Sequence, residues 1–333
     1  MDWTTMSGIT LIVDYLEFSI RYDSMYALLE MMPGELTVLE GGWKGHKESV
    51  LISGGLGRVS WTLGQLCQVS LPSKCLRELA RLDDRFADLA GFIGTVQDDW
   101  DGNIGRIDVA WDDRRGVLDM DVIREALEDR AYTSRWRGGF EVRGWGNQEG
   151  SRCIYLGSRK SDAQLRLYNK AKEQCVKSHW VRVELQARRS RADALAAVYK
   201  RLNEDADGVM AELAGILIGY VTFREPTGHS NRSRWPIAPW WAEFLGGAER
   251  AQLGRRETDR TVEDIQGWIA HQVAPSLAVV ELAMGAEAMW CWLHERVEAA
   301  KPRLGPRHRA IIAAAEEKLL VERDVGLECE DGQ

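Results

Sequence analysis

Three stretches of this chain alternate apolar and polar residues with a period of two, the pattern of a strand that buries one face. In Arg106–Asp112, Ile107, Val109 and Trp111 form one face, and Arg106, Asp108 and Asp112 share the other. In Val181–Ala187, Val181, Val183 and Leu185 point inward while Arg182 and Glu184 point outward. Between them, Tyr155–Lys170 reads as a strand, a turn and a second strand, in which Leu165 and Leu167 oppose Arg166, Tyr168 and Lys170. Further strands are expected over Gly8–Ile20, Ser49–Ser53, Arg58–Leu63 and Phe140–Gly144.

The period lengthens elsewhere. Ser73 is placed to cap a helix whose Leu76, Leu79, Leu82, Phe86 and Leu89 make one stripe. Helices are also expected over Asp121–Ala131, Ser190–Leu202 and Gly208–Ile218, the last running into Gly219–Phe223. Adjacent strands with intervening helices predict an α+β fold on an antiparallel sheet. The polar, turn-rich stretch Arg224–Arg234 marks a boundary, giving a sheet domain over 1–225 and a mainly helical region over 226–333. In that region Ala274–Ala300 reads as helical, Pro302 and Pro306 break it, and Arg309–Arg323 forms a last helix before an acidic tail. Trp235, Trp240 and Trp241, beside Pro236 and Pro239, are better placed to anchor the C-terminal helices on the sheet than to stack DNA bases.

Composition narrows the classes. A chain of 333 residues can bury a sizeable core. No run approaches a membrane span and no secretory segment lies near Met1, so a cytoplasmic protein with no membrane partner is expected. The six cysteines and six histidines show no metal-ligand spacing. Any metal site therefore rests on carboxylates, which favours Mg²⁺ or Mn²⁺ over Zn²⁺. The net charge of −8 argues against a general nucleic-acid binder. Yet Arg159–Arg189 carries nine Lys or Arg against three acids, so it stands at +6 on a remainder of −14. Arg159, Lys160, Lys172, Lys177, Arg188 and Arg189 in this segment are the candidate phosphate contacts of a confined DNA-binding patch.

The same segment holds the candidate chemistry. Arg166 and Lys170 flank the Tyr168 hydroxyl on one polar face. Cations beside a phenol favour its phenolate and bind phosphate, which suits attack on a phosphodiester. If their strands neighbour one another, Asp108 and Glu184 could hold a hard divalent cation by oxygen, with Asp112 as a further ligand. Arg166, Lys170 and Arg182 would support the charge that develops. Taken singly, each strand is better explained as a solvated sheet face with cross-strand ion pairs. The three together point to a site. Gly157-Ser158 reads as a plain turn, and Asp113 as the start of one.

RIDVAWDD at 106–113, YLGSRKSDAQLRLYNK at 155–170 and WVRVEL at 180–185 resemble, in order and spacing, the Rep_trans family of rolling-circle replication initiators. RWPIAPWWAEFLGG at 234–247 and RTVEDIQGWIAHQVAPSLA at 260–278 extend the resemblance. It implies a site-specific nickase that forms a 5′-phosphotyrosine through Tyr168 and leaves a 3′-hydroxyl primer. Asp108 and Glu184 are its implied metal residues. Its substrate would be a replication origin, as a hairpin or a single strand, with a host helicase and a second copy of the chain as candidate partners. By likeness to plasmid initiators, residues 226–333 are the candidate origin-recognition region. Relaxases of the family that carry an added N-terminal helix-turn-helix domain are the near alternative. The strands begin close to Met1, which favours the replication role. A non-catalytic DNA-binding regulator on the same sheet and a phosphoesterase using water are the readings from other classes.

Overall fold

Residues 9 to 20 build the strand on which the sheet is assembled. The structure, a computed structural model, describes residues 5–6, 9–144, 152–246, 262–304, 308–309, 311–313 and 315–316. In chain order the first half contains β1 (Thr5–Met6), β2 (Ile9–Ile20), α1 (Tyr22–Met31), β3 (Leu36–Leu39), β4 (Glu48–Ile52), β5 (Gly57–Trp61) and β6 (Cys67–Pro72). Three short helices follow, α2 (Ser73–Leu82), α3 (Asp84–Ala87) and α4 (Leu89–Gly94), then β7 (Asn103–Asp113) and α5 (Met120–Glu128). Next come β8 (Tyr132–Ser134), β9 (Phe140–Gly144), β10 (Arg152–Leu156), β11 (Ala163–Asn169), α6 (Lys170–Glu173) and β12 (Val181–Arg188). The unit ends with α7 (Ser190–Tyr199), α8 (Ala206–Tyr220), β13 (Val221–Phe223) and α9 (Pro239–Phe244).

The main sheet runs β3-β4-β5-β6-β2-β7-β12-β11-β10-β9, with β1 folded back on β2, and every neighbouring pair is antiparallel. β8 and β13 form a separate two-stranded ribbon. The alternation decides which face is buried. Ile107, Val109 and Trp111 of β7, Leu165 and Leu167 of β11 and Val181, Val183 and Leu185 of β12 all join the apolar core. Leu76 and Leu79 of α2, Ile123 and Leu127 of α5, Leu195 of α7 and Leu213 and Leu217 of α8 belong to the same core. Each such side chain contributes about 1.5–3 kcal/mol through burial. The opposite face of these strands carries the charged residues.

Several local outcomes differ from the periodicity. The stripe from Leu76 to Leu89 does not form one helix. Asp83 accepts from the Arg85 amide and Asp88 from the Gly91 amide, so each caps a new helix and breaks the old one. Leu82 is left largely exposed as a result. In β2 the inward positions are Leu11 and Val13, then Leu16, Phe18 and Ile20. The register with β7 shifts between Val13 and Tyr15, so a bulge inserts there. Trp240 and Trp241 pack on Phe223 with ring centroids at 4.9 and 5.0 Å, and Trp241 is fully buried. They anchor their segment to Phe223 of the β13 ribbon. Gly157 has φ +90° and lies under the Trp136 indole, where any Cβ would sit 2.5 Å from Nε1, so the turn there is a packed one.

Two compact units are present, Met1–Arg256 and Glu257–Gln333. The division lies beyond the turn-rich stretch 224–234, because Ala238, Trp241, Phe244 and Leu245 belong to the first unit's core. The second unit contains α10 (Val262–Trp268), α11 (Ala274–Met284) and α12 (Ala286–Ala300), with Gly285 at φ +86° separating the last two. Most of the expected final helix, Arg309–Arg323, and the acidic tail lie outside the described residues.

Candidate active site

Antiparallel register brings the three alternating strands side by side. Tyr168 pairs with Arg182, and Arg182 with Asp112; Arg166 pairs with Glu184, and Glu184 with Ala110; Gln186 pairs with Asp108. The polar face thus becomes a lattice of charges in rows. Tyr168, Glu184, Arg182, Asp108, Asp112 and Lys170 are all nearly inaccessible to solvent.

Three clusters divide this lattice. In the first, the Tyr168 hydroxyl donates to Glu184 Oε2 at 3.1 Å, and Arg166 Nη2 donates to the same oxygen at 3.1 Å. Glu184 Oε1 is buried and has no hydrogen-bond partner. In the second, Arg182 donates to both oxygens of Asp112, at 2.6 and 2.8 Å, and through Nη1 to Asp14 Oδ1 at 2.5 Å. In the third, Arg106 forks onto Asp108 at 2.9 and 2.6 Å, and Gln186 Nε2 adds a bond to Asp108 at 3.0 Å. The Arg106 guanidinium also lies 3.9 Å over the Tyr15 ring.

Electrostatics set these clusters apart. Burial raises the Glu184 carboxyl to about 7; Asp108 and Asp14 add to the rise, and Arg166 and Arg182 only partly oppose it. Burial, and then the Glu184 charge, hold the Tyr168 phenol well above its ordinary value, against the pull of Arg182 and Arg166. The expected phenolate is therefore not the resting form. A neutral phenol donating to a carboxylate is, because desolvation outweighs the neighbouring cations. Asp14 behaves oppositely: burial works against its charge, but Arg182 and Lys170 hold it below the usual carboxylate range.

Metal chemistry fits one pair. Among the described residues, no group of three or more His, Cys, Asp or Glu is arranged to hold a metal ion. Glu184 and Asp108 nevertheless offer hard oxygen donors: Glu184 Oε1 is buried and unpartnered, whereas both Asp108 oxygens are held by Arg106 and Gln186. Mg²⁺ is commonly held by one or two carboxylates, with waters and substrate phosphate completing its shell. Asp112 is occupied in the same way as Asp108, both its oxygens facing Arg182. Asp113 lies on the other face, accepting from the Arg115 and Leu118 amides and lying 3.2 Å from His179 Nε2.

The candidate DNA-binding cations are not gathered into one patch. Arg159 and Lys160, in the β10–β11 turn, and Arg188 and Arg189 lie at the Ala163 end of β11. Arg188 contacts Gln186 and Arg189 pairs with Asp162. Lys172 and Lys177 follow the opposite end, where Lys170 is buried and paired with Glu173. Seven strand residues, about 20 Å, separate the two groups.

Sequence reasoning missed Asp14, Gln186 and Tyr15. The signal for Asp14 was present. Apolar spacing in ITLIVDYLEFSI jumps from two to three between Val13 and Leu16, which marks the bulge that turns Asp14 toward Arg182. Gln186 continues the outward parity of Arg182 and Glu184.

Comparison with known proteins fits this arrangement. The sequence model of the Rep_trans family, described as replication initiation factor, matches residues 102–297, which include Asp108, Tyr168 and Glu184. The chain belongs to this family. A putative DNA relaxase, NicK, of Bacillus subtilis (strain 168) is 26% identical over 193 residues, 54% of this chain and 53% of the relative. The chain thus spans about half the length of that curated relative. A solved structure of a rolling circle replication initiator protein from Geobacillus stearothermophilus shares the fold. Its TM-score is 0.62 at 23% identity, covering 74% of this chain and 99% of that one. The α+β architecture on a large antiparallel sheet is therefore that of a family of rolling-circle initiators and relaxases. No helix among the described residues is long and apolar enough to cross a membrane.

Proposed function

We propose that this family member nicks one DNA strand at a replication origin through Tyr168. The Tyr168 oxygen attacks the scissile phosphorus, the bond to the 3′-oxygen breaks, and that oxygen leaves with a proton as the 3′-hydroxyl primer. The product is a 5′-phosphotyrosine; attack by a 3′-hydroxyl on it reverses the step and joins strands. One observation carries this reading: the hydroxyl of Tyr168 is bonded to a buried carboxylate, Glu184, whose affinity for protons is raised into the neutral range. Glu184 Oε2 receives the phenolic proton as attack begins. Arg166 and Arg182 hold the charge that develops on the phosphate.

Glu184 Oε1 and Asp108 would hold Mg²⁺ or Mn²⁺, which when bound polarises the scissile phosphate. Asp112 is assigned to positioning Arg182. Tyr168→Phe keeps the ring and removes the attacking oxygen. It should abolish both nicking and the covalent protein–DNA adduct, with origin binding within about threefold of wild type. An adduct formed at wild-type rate by this variant would remove Tyr168 from its role. The failure of wild type to form any adduct, with Mg²⁺ or Mn²⁺ supplied, would favour a non-catalytic DNA-binding protein.

The likeness to a putative DNA relaxase supports a second reading, in which the same chemistry serves conjugative transfer. The substrate decides between them: an origin of replication or an origin of transfer. Residues 226–333 are proposed to choose the origin. Exchanging them with those of a relative should move origin preference with the exchanged part. Preference that stays with residues 1–225 would place recognition on the sheet.

A further inference from the structure

The charged lattice does not end at Tyr168 and Arg182. One row further along, the backbone carbonyl of Trp180 accepts from the Lys170 and Ala171 amides, which fixes Trp180 beside the end of β11. Two guanidinium groups lie over its ring. Arg114 stands 3.7 Å from the ring centroid and Arg182 stands 5.7 Å from it. Arg114 follows β7 directly after Asp112-Asp113, and its residue is exposed. Among the described residues its guanidinium has no ion pair and no hydrogen bond, only the indole face. Three other arginines of this face differ: Arg106, Arg166 and Arg182 are each tied to a carboxylate.

We infer that Arg114, stacked on Trp180, is a phosphate-binding residue that holds the DNA strand next to the scissile phosphate. This rests on the reading of Tyr168 as the nucleophile. Three physical points support it. Stacking satisfies the face of a guanidinium while leaving its N–H fork open, and that fork matches two phosphate oxygens. A stacked arginine has already lost much of its side-chain freedom, so less is lost on binding. The location also fits. Arg114 lies two strands across from β11 and one row along from Tyr168, about 12 Å by strand and residue spacing. That is the neighbourhood of a flanking nucleotide, not of the scissile phosphate itself. The ligand is thus the backbone of a single DNA strand on one side of the nick. Trp180 is the positioning residue: it joins Arg114 to the Arg182 cluster and would transmit a shift of one to the other.

The test uses the full chain and an origin oligonucleotide in which one phosphate at a time is replaced by an uncharged methylphosphonate. In wild type, the replacement that removes the Arg114 contact should weaken binding about five- to tenfold. In Arg114→Ala the same oligonucleotide should bind as the unmodified one does, and the salt slope on single strands should be flatter by about 0.7. Arg114→Lys should recover the slope but not the full affinity. Trp180→Leu should resemble Arg114→Ala in binding, whereas Trp180→Phe, which retains a ring, should recover most of it. If every methylphosphonate acts equally on wild type and Arg114→Ala while adduct formation is normal, the inference is wrong and the nicking reading stands. If wild type forms no adduct, the nicking reading itself has failed. Unchanged binding in Trp180→Leu would show that stacking does not position Arg114.

Discussion

Glu184 and Asp112 sit on adjacent strands of one sheet face, both buried, both facing arginine, yet they are in opposite conditions. Asp112 has two short bonds to Arg182, and Arg182 has a third to Asp14. Glu184 shares one oxygen between Arg166 and Tyr168 at 3.1 Å each and leaves the other without a partner. The first arrangement is closed, with both Asp112 oxygens met by the guanidinium. The second is open, with a carboxylate whose charge is poorly supported and whose proton is easily exchanged. Buried charges that are fully paired hold geometry, whereas buried charges left short are where chemistry can enter.

The sharpest way to break this comparison is at Arg182. Arg182→Met leaves the buried Asp112 and the half-buried Asp14 without this guanidinium and should cost about 3–5 kcal/mol of stability. Urea unfolding measures it. A loss below about 1 kcal/mol would mean that the cluster is not the closed structural unit described. Glu184→Gln should behave differently, with a sign set by pH. The folded-state carboxyl is raised from its ordinary 4.5 to about 7, so the native protein holds a proton that the unfolded chain releases. That stabilising term is fully present below pH 4.5 and is lost as pH rises through 7. Measured in EDTA, the melting temperature of Glu184→Gln should therefore gain on wild type between pH 4.5 and 7 and level off above. A difference that does not change with pH would show that Glu184 is not protonated in the folded state. The smallest effects belong to the cations at the two ends of β11. Lys177→Ala and Lys160→Ala should each flatten the salt dependence of single-strand binding by up to about 0.7, without changing which origin is preferred. Because the two ends are far apart, the double variant should show the sum. A double variant no flatter than either single one would put only one end on the DNA.

Much of this face was legible in the sequence because a strand's period of two is insensitive to what the strand packs against. Arg106, Asp108, Asp112, Arg166, Tyr168, Arg182 and Glu184 all fall where alternation puts them. What alternation does not carry is pairing. The strands' order places Arg182 opposite both Tyr168 and Asp112, and only that order makes Asp112 a partner for this arginine. Nor does parity report desolvation, which reversed the expected ionisation of Tyr168. The basic segment 159–189 misled for a related reason. A hairpin folds it back and sends its charges to opposite ends of the strands. The helix breaks at Asp83 and Asp88 were signalled by residues that cap well, but the apolar stripe across them was the louder pattern.

The bond between Asp14 and Arg182 joins residues 168 positions apart in the chain. β2 is made first, yet its partner β7 follows only after residue 103, and β12 later still. During synthesis the Asp14 carboxylate has no Arg182 to pair with until more than half of the chain has emerged. Sheets assembled from such distant partners fold slowly, because the loop must close before the contacts stabilise it. A chain that stops between Tyr168 and Arg182 therefore carries the Tyr168 hydroxyl but lacks the guanidinium that joins Asp14 to Asp112.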